Sequence, residues 1–153
     1  MTINQVTALL DQLGPVLNPL AIEASEEHQS WGIALEDDVN VLVQFDAQKG
    51  CLVLACEVGA PPAGDRTGIY ELLLHTNYHW DTTGGLRLAL NAPGGDVVQA
   101  YELPVADLDV SQLSATVISF AESAKAWREI IQSSASTLPP APEDLPSMDQ
   151  IRA

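Results

Sequence analysis

Cations are scarce in this chain. Six lysines and arginines face 21 aspartates and glutamates over 153 residues, giving a formal charge of −15 and a pI near 4.1. A surface of that sign repels phosphate backbones, so neither nucleic acid nor an anionic membrane is an expected partner. Cysteine is as rare: Cys51 and Cys56 are too few for a disulfide scaffold. They stand five apart in one apolar run, which on a strand puts them on opposite faces, unable to bridge. Both read as reduced thiols. No apolar block approaches the roughly 20 residues of a membrane span. The first residues lack the basic start and apolar core of a secretory leader. A cytoplasmic protein is expected.

What is present is a core. The composition is 46% hydrophobic and 18% charged, which excludes wholesale disorder. A chain of this length buries roughly 70% of its unfolded surface.

Residues 2–13 read as a helix. Thr2 and Gln5 form a capping box, Ile3, Val6, Leu9, Leu10 and Leu13 make an apolar stripe, and Gly14-Pro15 stops it. Residues 16–24 read as irregular. Alternation then predicts strands over 31–36 and 39–46, joined at Asp37-Asp38, and a third over 51–58. A Pro/Gly loop (59–65) precedes a helix over 66–79. Strands over 86–91 and 97–103 flank the turn Ala92-Pro93-Gly94-Gly95-Asp96. Asp109 and Gln112 cap a long helix with Leu113, Val117, Phe120, Ala124, Trp127 and Ile131 on one stripe. From Ser133 the chain turns to Ser, Pro, Ala and acid, which reads as a mobile tail. The expected organisation is an α+β domain over 1–132 with one antiparallel sheet, in the order helix, three strands, helix, two strands, helix, and a tail over 133–153.

The middle helix has two apolar faces. Leu72, Leu73 and Thr76 lie within about 60° of Ile69; Tyr70, Leu74 and Tyr78 lie roughly 100–180° round from it. One face can pack on the chain's own sheet. The other needs a cover, either a second copy or the terminal helices.

Catalytic patterns are missing. His75 and His79 have the i, i+4 spacing of a metal-chelating pair, but Thr76 stands where the zincin motif has Glu, and no motif supplies a third ligand. The histidines read as surface or interface residues, with a metal- or small-molecule-binding protein as the alternative. No phosphate-binding Gly loop or G-x-S-x-G elbow occurs. No catalytic residue, cofactor or metal ligand is assigned. An apolar-rich chain wrapped in negative charge suits a protein that holds apolar segments of another, for instance by strand addition at a sheet edge.

The chain resembles the class I type III secretion chaperones of the Tir chaperone (CesT-type) family. The likeness spans about 2–132. It rests on the element order and on a closing pattern: the leucine-rich strand Leu86 to Leu90, the turn Gly94-Gly95, Leu103-Pro104, Asp107-Leu108, and a long helix bearing Phe120 and Trp127. Leu13-Gly14 and Phe45-Asp46 add to it. The resemblance implies a cytoplasmic homodimer of a Gram-negative bacterium, with no ATPase activity of its own. It would hold the N-terminal region of a secreted effector extended for export and possess a link to the secretion ATPase. By the same resemblance the dimer contact maps to Ile69, Tyr70, Leu73, Leu74 and Leu86, and the effector groove to Leu9, Leu10, Leu13, Ile33, Leu35, Val41 and Val43. A fold relative that regulates or scaffolds without a secreted client is the further alternative.

Overall fold

In a computed structural model, residues 1–25 and 27–133 are described. Ten elements follow in order: α1 (Ile3–Leu17), β1 (Ala21–Ser25), β2 (Ser30–Ala34), β3 (Asn40–Asp46), β4 (Cys51–Gly59), α2 (Arg66–Tyr78), the short α3 (Trp80–Thr83), β5 (Arg87–Leu90), β6 (Val97–Pro104) and α4 (Val110–Gln132). Six strands form one antiparallel sheet in the order β1-β2-β3-β4-β6-β5. The α+β class and the single antiparallel sheet agree with the sequence; the expected tail, Ser133 apart, lies outside the described residues.

Two local expectations are corrected. The first helix does not stop at Gly14-Pro15 but runs to Leu17, where Asn18 takes the left-handed conformation (φ 49°) and donates its N–H to the Gly14 carbonyl at 2.9 Å. Pro15 removes only the bond to the Asp11 carbonyl. The next residues are not irregular throughout: 21–25 pair with β2 from Ala21↔Ala34 to Ser25↔Ser30. The meander therefore has four strands.

Register explains the core. Pairing places Ile22, Ile33, Val41, Leu54 and Tyr101 on the same sheet face as Trp31, Val43, Phe45, Leu52 and Gln99. That face packs under α1 and α4, through Val6, Leu10 and Leu13 of the first helix and Leu113, Val117, Phe120 and Ala124 of the second. The other face carries small or partly exposed groups, among them Gly32, Ala34, Leu42 and Ala55.

Two contacts tie α4 to the sheet. Gln99 is fully buried on β6; its Nε2 donates to the Phe120 carbonyl at 2.6 Å and its Oε1 accepts from Ser123 Oγ at 3.2 Å. At the far end, α4 clamps the β2–β3 turn. Asp37 and Asp38 both sit at φ 58°, as a type I′ turn requires. Arg128 donates to both their carbonyls (2.9 and 3.2 Å), and Lys125 pairs with the Asp37 carboxylate at 2.8 Å. At the other hairpin Gly94 sits at φ 70°, and a Cβ on Gly95 would collide with Asn91 Oδ1.

Gln99→Leu keeps most of the volume but strands the Ser123 hydroxyl, and should cost about 1–2 kcal/mol in urea unfolding. The Lys125 ammonium holds the Asp37 carboxyl below its ordinary 3.8. A depressed folded pKa means stability that is present above pH 3.8 and lost as pH falls through the folded value. The pair is exposed, so the effect is small and sensitive to salt. Lys125→Met should lower the thermal midpoint near neutrality and converge with the parent in acid.

Candidate functional surfaces

Three sequence-derived sites can now be placed. The histidine pair sits on the C-terminal turn of α2, with ring centroids 4.8 Å apart at 73°. No group of three His, Cys, Asp or Glu able to hold a metal occurs among the described residues. Cys51 and Cys56 are buried and unbridged, and burial raises both thiol pKa values, which opposes thiolate chemistry.

The second site is the outer face of α2. Ile69 and Leu73 are buried in the chain's own core, and Tyr70 and Leu86 pack partly against it. Leu74 is different: it is 71% exposed, as are Tyr78 and Trp80. Together they leave the second apolar face of the helix uncovered by α1 or α4. Trp80 follows the helix proper, at the start of the short α3.

The third site lies between α1 and the sheet. Leu9, Leu10, Leu13, Ile33, Val41 and Val43 are buried there, and Leu35 is partly buried. They belong to the core, and of the seven Leu10 also borders a surface groove. The groove runs between the Thr7–Asp11 side of α1 and β1, as two adjoining hollows of about 520 and 400 Å³ that share Thr7, Asp11, Ala24 and Trp31.

Backbone bonding distinguishes the two outer strands. Beside β5, Asn77 of α2 acts as a substitute strand: its Nδ2 donates to the Leu88 carbonyl at 2.8 Å, and the Leu88 N–H donates to its Oδ1 at 2.9 Å. The Leu86 N–H donates to the Thr83 carbonyl at 3.2 Å. The β5 edge is thereby sealed along its first half. The outer edge of β1 receives no hydrogen bond from any described residue, so it is the edge open to pairing.

The model of the Tir chaperone protein (CesT) family matches residues 8–128. The chain belongs to this family of type III secretion chaperones. No curated protein sequence matches it. Among solved structures it is similar to the ExsC–ExsE complex (18% identity, TM-score 0.74, covering 87% of this chain and 98% of that one). It is also similar to the HopA1–SchA chaperone–effector complex (19%, 0.66, 81% and 93%). A third likeness is to the Yersinia pestis type III secretion chaperone SycH in complex with a stable fragment of YscM2 (21%, 0.60, 78% and 97%). At these identities the likeness speaks to the fold. No helix among the described residues is long and apolar enough to cross a membrane.

Asn77→Ala would leave a sheltered amide and carbonyl of Leu88 without partners. It should cost about 1–3 kcal/mol and speed hydrogen exchange at Leu88 while β3 and β4 stay protected.

Proposed function

We propose that this protein keeps the N-terminal segment of a cognate secreted effector extended and fit for export, and that it does so in the cytoplasm as a homodimer without catalytic turnover. The uncovered α2 face carries the reading. Burying a large apolar side chain is worth roughly 1.5–3 kcal/mol, and Leu74, Tyr78 and Trp80 forgo most of that in a lone chain. A second copy covering this face through a twofold axis gives the dimer, with Tyr70 and Leu86 at its margin and Ile69 and Leu73 supporting it from behind.

The client then binds away from that face, at the groove between α1 and β1, above the layer made by Leu9, Leu10, Leu13, Ile33, Leu35, Val41 and Val43. Main-chain pairing suits a partner whose sequence the chaperone reads only in part: the backbone supplies affinity and alternate side chains supply selectivity. The secretion ATPase is the natural recipient of the loaded complex. The domain over 1–132 carries all of these surfaces.

Light scattering on the eluting protein should give about twice the 16.3 kDa chain mass. Leu74→Asp puts a charge into the contact and should raise the dimer dissociation constant at least about tenfold, or about 1.4 kcal/mol, leaving the circular dichroism of the fold unchanged. A strict monomer at micromolar concentration overturns the dimer. For the client, co-purification from a native lysate should yield a protein whose binding is lost on deleting its N-terminal segment.

A further inference from the structure

The groove beside β1 holds one charge that the rest of the molecule leaves alone. Asp11 lies where its two hollows meet, and its carboxylate makes no ion pair or hydrogen bond with any described residue. Intrachain rescue is not available from the described lysines and arginines, because each is engaged elsewhere. Lys49 and Arg87 pair with Glu102. Arg66 donates to the Gly94 carbonyl at 2.7 Å. Lys125 pairs with Asp37 and Glu122, and Arg128 holds the Asp37-Asp38 turn.

The surroundings of Asp11 are mostly apolar or small. Trp31, Ile22, Ala24 and Leu10 form the floor, with Thr7, Ala8, Gly14 and Ile3 along the helix side. The Gly14 position leaves Ile22 just clear: a Cβ there would sit 3.9 Å from Ile22 Cδ1. A strand added outside β1 would turn every second side chain toward this floor, at a repeat of about 6.6–6.8 Å. Two such side chains fit the two hollows, and one passing between them meets Asp11.

We propose, building on the chaperone reading above, that Asp11 is a specificity-determining residue: the client segment carries a lysine or arginine among alternating apolar residues, and Asp11 reads it. The occupant is thus an extended, locally basic segment of a partner protein. The charge of the whole chain, −15, steers such a segment inward, and Asp11 fixes its register by a charge-assisted bond at one position. Selectivity comes from both signs, since an acidic residue at that position would be repelled.

The test uses three fluorescently labelled ten-residue peptides that alternate valine with serine and differ at one inward position, bearing lysine, norleucine or glutamate. Anisotropy on the full chain should rank lysine above norleucine by about threefold to fivefold, with glutamate weakest. Asp11→Asn should cut the lysine advantage over norleucine down to the residual long-range preference of the acidic surface, which salt then removes. Asp11→Lys should invert the order and favour glutamate. An unchanged lysine-to-norleucine ratio in Asp11→Asn overturns the role of Asp11 and leaves the groove and the chaperone reading intact. If none of the three peptides binds, the groove assignment falls, whereas the chaperone reading is decided separately by the co-purified client. If peptide addition lowers the mass of the assembly, a second copy fills the groove, and the proposal is overturned.

Discussion

An antiparallel sheet that does not close has two outer strands, and every backbone group on their free sides needs water, a side chain or another strand. This constraint organises the molecule. At one end Asn77 supplies an amide that mimics a strand, and Thr83 adds a main-chain acceptor, so the first half of β5 is finished from within. At the other end β1 is left open, short and flanked by Pro19. The asymmetry is built into sequence: an Asn placed on the sheet-facing side of α2 does on one edge what no described residue does on the other. Gln99 applies the same logic indoors, where a buried amide is tolerable only because both of its ends are bonded to α4.

Scarcity of cations sharpens the picture. With few positive charges available, the fold spends them on geometry: two converge on Glu102, two hold the β2–β3 turn, and one grips the turn after β5. Most of the described acids then make no ion pair, which keeps copies apart in solution except where an apolar face overrides repulsion. Such a protein is repelled by its own kind and attracted to basic segments. The face on α2 and the groove at β1 are places where those two tendencies meet apolar surface.

The sequence was most informative where residues are most buried. Alternation of Val39, Val41, Val43 and Phe45 marked β3, and the stripe from Leu113 to Ile131 with its capping pair marked α4, because core packing imposes a period on the chain. The uncovered face of α2 was also legible, since Leu74 and Tyr78 broke the expected polar side. β1 was not: Ala-Ile-Glu-Ala-Ser carries one large apolar residue, as a mostly exposed edge strand can. The continuation of α1 through Pro15 escaped for a related reason. Near the end of a helix a proline removes one bond only, and Asn18 provides the stop that the Gly-Pro pair suggested earlier. The groove residues show the same bias in reverse. A periodic stripe such as Leu9, Leu10 and Leu13 records what the chain packs against itself, whereas the groove wall of Thr7, Asp11 and Asn18 looks like an ordinary polar side.

The spatial order of the strands bears on whether one chain can serve two partners at once. β1 and β5 are the first and last strands of a six-stranded sheet, which sets them about 24 Å apart at the usual interstrand spacing. α2, with Leu74 and Tyr78, lies against β5; the groove with Asp11 lies against β1. The proposed self-association through α2 and the proposed capture of a segment at β1 would therefore draw on opposite ends of one sheet, and neither would need surface that the other covers. Had Asn77 been absent, the β5 edge would also invite pairing, and a client strand could compete with the second copy for the same end. With Asn77 bonded to Leu88, the two proposed tasks would stay apart by the width of the sheet.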